Sequence, residues 1–371
     1  MRAAIDQSYD IVSRYVYNHD IMTCTADGVP GNHLYSGRAL GLTETWDLIQ
    51  LHPDLKPLWE DIQEHYRRVR LRHTSNVIWD LDLKHLGSHI GYQPSVFFFG
   101  HHECNYWGDH NWRDTVDYIN SKNNFMALAS ELGIKTPYTL CFDGPMDIGV
   151  RELMKIRFPC YLKAAVSVAG VGIYRCETPL ELFRALAKFQ KDTPVQIQEE
   201  VNADSFLNLQ YRVVGKDLVR LTASEQILDG FAHQGNRVPA SHEPWESVDT
   251  MAYWLRDHGI KGIFAFDVAI VQTSTGLQFL AIECNPRFNG ATYPTLIAQK
   301  LGISEWCSIT LSTKYHSLAD INLNGLEFSS VTGQGVVIVN WGTVLEGKLM
   351  FLVAGPVEKQ QMYIEELQRR L

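Results

Sequence analysis

Apolar positions recur along this chain with two periods. Alternation with period two runs through 207–228 (LNLQYRVVGKDLVRLTASEQIL), broken by Gly215-Lys216-Asp217, and predicts a hairpin. A second hairpin is predicted over 262–287 (GIFAFDVAIVQTSTGLQFLAIECNPR), with further strands at 95–99, 138–142, 195–201, 335–341 and 348–354. The segment 159–176 predicts strand, small-residue loop, strand. Helical spacing predicts helices at 54–70, at 121–133 between a Ser121 cap and a Gly133 stop, at 147–156, and from 357 onward. A helix over 179–192 is expected to pack through Leu180, Phe183, Leu186, Ala187 and Gln190. Residues 1–115 mix aromatic and polar positions and are the least legible third.

Bulk properties narrow the class. A chain of 371 residues exceeds one ordinary core, so two or three domains are expected. With 45% hydrophobic and 20% charged residues, the composition is that of a soluble globular protein. A net charge of −9 argues against a nucleic-acid backbone as partner. The seven cysteines are odd in number and form no C-x-x-C pair, which favours reduced thiols over a disulfide frame. The first residues lack an apolar signal-peptide core, and runs such as FLAIEC are too short to span a bilayer. A cytoplasmic protein without membrane or nucleic-acid partners is expected.

The second hairpin carries the candidate chemistry. Reading Ser274-Thr275-Gly276 as a three-residue loop places Thr273 opposite Leu277, Val271 opposite Phe279, Ala269 opposite Ala281 and Asp267 opposite Glu283. Opposed side chains lie roughly 5 Å apart at Cβ, and Asn285 shares their face by the period of two. Two facing carboxylates are unfavourable unless a cation lies between them, and a few hard oxygen ligands suit Mg²⁺. The alternative is a pair of solvated acids on an edge hairpin. On the basic side, Lys163 closes the strand PCYL before the loop SVAGVG, whose Gly170 and Gly172 let backbone N–H groups approach phosphate. Taken alone, that loop fits a plain hairpin turn better than a phosphate site. Neither a P-loop nor a G-x-G-x-x-G fingerprint is present.

The order Lys122, Lys163 with its small-residue loop, IQEEV (197–201), Asp267 and E-x-N-P-R (Glu283 to Arg287) resembles the ATP-grasp superfamily over residues 120–290. The resemblance implies an α+β ATP-grasp fold. Its domains would be an N-terminal α/β domain (1–115), a central lid-bearing subdomain (116–201), a C-terminal subdomain with the metal site and antiparallel sheet (202–315) and an extension packing on the core (316–371). It assigns Lys122, Lys163, Gly170, Gly172, Glu200 and Ser205 to the nucleotide, and Glu199 and Val201 to backbone bonds with adenine. Gln198 stands where relatives carry a glutamate toward the adenine amino group. Asp267, Glu283 and Asn285 would hold Mg²⁺, or Mn²⁺ in its place, and Arg287 would face the transferred phosphoryl group. Acidic Glu199 and Glu200 suit the adenine end because they would repel phosphates.

The implied activity is ADP-forming ligation of a carboxylate to an amine, such as an amino acid, by an enzyme that forms homodimers in the family's habit. The stretches SEQILDGFAHQGNRVPA (224–240) and VNWGTVLEGKLMFLVAGP (339–356) are similar to pheganomycin-type peptide ligases of specialised metabolism. Thiol or hydroxyl acceptors, kinase chemistry and a nucleotide-binding regulator remain as alternatives. Adjacent His101 and His102 are expected to splay apart on a strand, away from any metal. Cys284 alternates away from Glu283 into the core, and His233 and Asn236 are expected in a lid or pocket loop.

Overall fold

Strand-forming residues build three sheets in the computed structural model, which describes residues 13–24, 31–167, 172–229 and 232–371. The first sheet is parallel, with order β3-β2-β1-β4 from β1 (Arg14–Asn18), β2 (Leu48–Gln50), β3 (Val77–Ile78) and β4 (Tyr92–Val96). The predicted strand 95–99 is displaced: β4 starts earlier and stops at Val96, because its partner β1 ends at Asn18. Phe97 and Phe99 are buried beyond it. The helix expected at 54–70 opens as a 3-10 turn over 53–58 and becomes α1 (Trp59–Arg68), and α2 (Lys84–Ser88) follows. His101 and His102 stand on the helix α3 (His101–Trp107), not on a strand. The backbone of Gly100 donates to Glu103 Oε2 at 2.9 Å, which starts that helix. Next come α4 (His110–Asn120) and α5 (Lys122–Glu131), the latter capped by Ser121.

The second sheet is antiparallel, with order β5-β8-β6-β7 from β5 (Thr139–Phe142), β6 (Cys160–Ala164), β7 (Ile173–Cys176) and β8 (Val195–Glu199). Its helices α6 (Val150–Leu153) and α7 (Pro179–Leu186) are shorter than the spacing suggested. The buried stripe of α7 is Leu182, Ala185 and Leu186, while Leu180 and Phe183 are exposed. Two helical stripes compete in that sequence, and the sheet took the one continuous with Phe189. Cys160, Leu162, Val195 and Ile197 face this small core. Period two therefore turns Tyr161, Lys163, Gln196 and Gln198 to the opposite face.

The third sheet has eight antiparallel strands in the order β13-β12-β9-β10-β11-β14-β16-β15. They are β9 (Ser205–Val214), β10 (Asp217–Asp229), β11 (Ala232–Val238), β12 (Gly262–Thr273), β13 (Gly276–Asn285), β14 (Trp306–Ser312), β15 (Gly335–Asn340) and β16 (Lys348–Ala354). The helices α8 (Asp249–Asp257), α9 (Thr292–Leu301) and α10 (Val357–Arg370) pack against it. On β9 and β12, Leu207, Leu209 and Tyr211 pair with Val268, Phe266 and Phe264 and bury one face. Asn208 pairs with Asp267 on the other. His233 and Asn236 belong to β11 rather than a loop. No helix among the described residues is long and apolar enough to cross a membrane.

The N-terminal residues are fastened to the C-terminal strands by directed bonds. Fully buried Trp341 donates its indole N–H to the carbonyl of Gly37 at 2.7 Å. A Cβ on Gly37 would sit 2.8 Å from that ring, so only glycine admits the approach. Glu327 accepts from His65 Nδ1 and from both Arg68 Nε and Nη2, each at 2.7 Å. His65 Nε2 in turn accepts the Ile338 N–H at 3.0 Å, the neutral tautomer that its burial favours. Burial alone would raise the Glu327 carboxyl, but the bonds from His65 and Arg68 outweigh it and hold the group down at about 2. A depressed carboxyl contributes stability above its unfolded value that disappears as pH falls toward the folded one. Glu327→Gln should therefore cost about 1–3 kcal/mol at pH 7 by urea denaturation. The deficit should close as pH drops from 4.5 toward about 2.

Candidate active site

The register of the β12–β13 hairpin brings the acids together by a route the sequence reading missed. The turn has two residues, Ser274 and Thr275, so Thr273 pairs with Gly276, Ile270 with Phe279 and Val268 with Ala281. These pairings replace the expected ones. A bulge between Asp267 and Val268 then inserts Ile282 and restores Asp267 opposite Glu283 and Ala265 opposite Asn285. The Ala281 N–H donates outward to the Lys135 carbonyl at 2.8 Å. Asp267, Glu283 and Asn285 thus converge as expected, for a different backbone reason.

Asp267 is held by three amides. Its Oδ1 accepts from Asn208 Nδ2 (2.8 Å) and Gln226 Nε2 (2.7 Å), and its Oδ2 from Asn285 Nδ2 (2.9 Å). Asn208 Oδ1 accepts from Asn289 Nδ2 at 3.3 Å, and Asn289 Oδ1 receives the Ala291 and Thr292 N–H groups that open α9. Asn208, Gln226 and Asn289 went unnoticed in the sequence. Their signal was an amide at a strand position otherwise apolar, as in LNLQY, and the second asparagine of N-P-R-F-N.

The cations come from other elements. Lys122, in the first turn of α5, places Nζ 3.0 Å from Glu283 Oε2 on the edge strand β13. Its N–H donates to the Ala165 carbonyl at 2.7 Å, tying α5 to the small sheet. Lys163 Nζ donates to Gln198 Oε1 at 2.7 Å, and Gln198 Nε2 donates to Thr139. Burial lowers the Lys163 ammonium to about 8, assisted by Lys122 and opposed by Glu283. Burial also raises the Asp267 carboxyl, and the facing Glu283 adds to it. Glu283 itself is held below its usual range, because Lys122 and Lys163 together outweigh its burial. One acid is stabilised by lysines and the other is short of positive charge. That imbalance and the all-oxygen donor set fit a hard divalent cation. Asn285 keeps its Oδ1 for it, since the bond to Asp267 uses Nδ2.

Arg287 closes the cluster. Its N–H donates to the Asn285 carbonyl (2.8 Å), and its guanidinium lies 5.4 Å from the centre of the Phe97 ring. The segment after β8 differs from its sequence reading. Glu199 accepts from the Tyr138 N–H and from Arg157, and Glu200 is gripped by Arg175 and the Tyr161 hydroxyl. Both acids are neutralised in ion pairs, so repulsion of phosphates does not define this end. The backbone N–H groups of Glu199 and Glu200 are engaged with Tyr138 and Pro159. That of Val201 makes no backbone bond among the described residues. Ser205 opens β9 opposite Ile270. Gly172 takes φ +77°, and Gly170 lies outside the described residues. Cys284 is buried and its thiol pushed well up by desolvation. His33, His52 and Asp54 also gather metal-ligating atoms, but His52 Nδ1 already accepts the Asp54 N–H.

No family model matches the chain, and curated proteins give no significant match. Solved structures do. N5-carboxyaminoimidazole ribonucleotide synthetase in its ADP complex superposes with TM-score 0.63 at 13% identity, over 95% of each chain. The Staphylococcus aureus N5-carboxyaminoimidazole synthetase with ADP gives 0.61 at 12% over 96% of each. Biotin carboxylase from Campylobacter jejuni gives 0.51 at 11%, over 69% of this chain and 67% of that one. The chain has the ATP-grasp fold.

The amide cradle makes a testable unit. Asn208→Leu should destabilise the protein by about 1–3 kcal/mol, since it removes one of the two donors to Asp267 Oδ1 and strands a buried donor on Asn289. In the Asp267→Asn background the same substitution should cost less, and additive effects in that double-mutant cycle would show the two residues to be uncoupled.

Proposed function

We propose that the protein is an ATP-dependent ligase that joins a carboxylate to an amine and releases ADP and phosphate. The observation that carries this reading is the meeting of Asp267, Glu283 and Asn285 with Lys122, Lys163 and Arg287. These two groups face each other between two sheets, on a fold whose solved neighbours were crystallised with ADP. ATP would lie between the small sheet and the large one, with the Val201 N–H toward adenine and Gly172 over the phosphates. Asp267, Glu283 and Asn285 would hold Mg²⁺, which when bound supplies charge neutralisation at the terminal phosphates.

The chain's own groups position and neutralise. Lys163, buried at the floor of the cleft, would keep its proton when phosphate arrives, because a nearby anion raises an ammonium pKa. Arg287 would orient the γ-phosphoryl group toward the substrate carboxylate. The carboxylate oxygen attacks the γ-phosphorus, the bond from that phosphorus to the β,γ-bridging oxygen breaks, and ADP departs as the acyl phosphate forms. The amine then adds to the acyl carbon and expels phosphate, losing its proton as the amide forms. Positioning and charge suffice for such a transfer.

The finer reading, an amino-acid or peptide amine as acceptor, is supported by the likeness of 224–240 and 339–356 to pheganomycin-type ligases. A second reading has bicarbonate as the acid and a carbamate as product. End-to-end superposition on a synthetase named for a carboxyamino product favours it.

Incubation with ATP, Mg²⁺, an acid and amine panel and oxygen-labelled carboxylate should yield ADP and one label in the released phosphate. AMP as nucleotide product, or unlabelled phosphate, would overturn the acyl phosphate route. Labelled bicarbonate entering a product selects the second reading. Lys163→Ala should weaken ATP binding by calorimetry about tenfold or more, as expected for a charge-assisted bond of roughly 1.5–3 kcal/mol. Unchanged affinity would make Lys163 a structural residue.

A further inference from the structure

A guanidinium that makes no ion pair among the described residues lies a short way from Arg287. Arg38 belongs to the 3-10 segment 32–42 and is 8% exposed. Its charge is stacked between Phe97 and Tyr293, 4.4 Å from each ring centre, with Tyr35 at 5.1 Å. Its Nε and Nη2 are buried and make no hydrogen bond among the described residues. Asp20 is close enough to interact through space but forms no ion pair with it. Burying a guanidinium without an anionic partner is costly, so an anion that reached it would be held favourably. Phe97 carries both Arg38 and Arg287 on its ring, so the two cations stand at neighbouring positions.

Arg38 lines a cavity of ≈130 Å³ between the 3-10 segment and the large sheet. Lys348 at the start of β16 lines it too, 5.7 Å from the Tyr35 ring centre and with no salt bridge among the described residues. Thr310 adds a hydroxyl and Asn340 an amide whose buried Oδ1 has no hydrogen-bond partner among the described residues. His233 forms one wall, its Nε2 2.6 Å from Asn236 Oδ1. Gly290 lies against the same imidazole, where a Cβ would come within 2.9 Å. The clamp is set from behind: Tyr293 Oη lies 2.9 Å from His19 Nδ1, and His19 Nε2 lies 3.0 Å from Ser95 Oγ. At about 30 Å³ per water, the cavity has room for roughly four waters. That suits one carboxylate or phosphate group on a short stem.

We propose that this cavity is a substrate-specificity site, in which Arg38 and Lys348 receive an anionic group, carboxylate or phosphate, on the substrate whose reacting end lies at Arg287. The inference rests on the ligase reading for its consequence but not for its binding test. A guanidinium fork matches two oxygens of either anion, Lys348 supplies a second charge, and Thr310 a hydroxyl. His233 would exclude a bulkier group. Among substrates of equal size, the charged one is therefore selected.

The test uses the full chain. Inorganic phosphate and succinate, each titrated to 10 mM by calorimetry, separate the two sources of the anion. At least one should bind, and Arg38→Gln and Lys348→Gln should each weaken that binding tenfold or more. Circular dichroism and melting of both variants check the fold, and the Lys348 variant covers a failure of the Arg38 variant to fold. Absence of binding by both anions, or equal binding in wild type and the Lys348 variant, overturns the proposal. In turnover, alanine is compared with alaninamide and phosphoethanolamine with ethanolamine as acceptors. The wild type should prefer a charged member by ten- to a hundredfold in kcat/KM, and the variants should lose that preference. A preference that survives substitution overturns the proposal as well. Anion binding that depends on Arg38 and Lys348, with no ATP turnover on any acceptor, would count against the ligase reading and leave the anion site standing.

Discussion

Asp267 and Glu283 face each other across one hairpin, and that juxtaposition sets the demands on the rest of the structure. Two half-buried carboxylates at this separation are unfavourable when both are ionised unless positive charge or hydrogen-bond donors reach them. Three amides gather on Asp267 and two lysines on Glu283. The compensation is unequal, and the deficit at Asp267 is what a divalent cation would fill. The cluster is assembled from four distant segments because no single hairpin carries acids, amides and cations together.

Sheet architecture converts this demand into geometry. Alternation on β9 and β12 hands one face to apolar packing and the other to Asn208 and Asp267. On β6 and β8 it separates Leu162 and Ile197 from Lys163 and Gln198. The polar face of the small sheet and the polar edge of the large one are the surfaces left when each core is satisfied. The cleft between them is a by-product of burial as much as of chemistry. The N-terminal segment adds Arg38 to the same neighbourhood, and the Trp341–Gly37 bond and the Glu327 cluster fasten it there.

Much of the site was legible because its acids lie within one hairpin. Asp267, Glu283 and Asn285 share a face through local register, and Lys163 announces itself by closing an apolar strand. The register argument nevertheless reached the right pair through the wrong turn. A two-residue turn and a bulge shift every intermediate pairing by one and cancel at Asp267, and no hydrophobic pattern encodes a bulge. The face of α7 and the strand character of His233 failed for a related reason. Two stripes or two backbone states fit the sequence about equally, and the neighbouring sheet decided between them.

The sequence by itself determined the alternation, the helix caps, the hairpins and the acid pair, because these follow from contacts between residues near one another in the chain. The ion pairs that neutralise Glu199 and Glu200, the amide cradle around Asp267 and the aromatic clamp around Arg38 were decided only in the tertiary structure. Their partners are far apart in sequence, and the clamp joins residues 38, 97 and 293. Neither periodicity nor composition records which charges will be buried together. Whether a charge is paired, shifted or left to receive a ligand depends on desolvation and on the charges that packing brings within a few ångströms, and those are properties of the assembled fold.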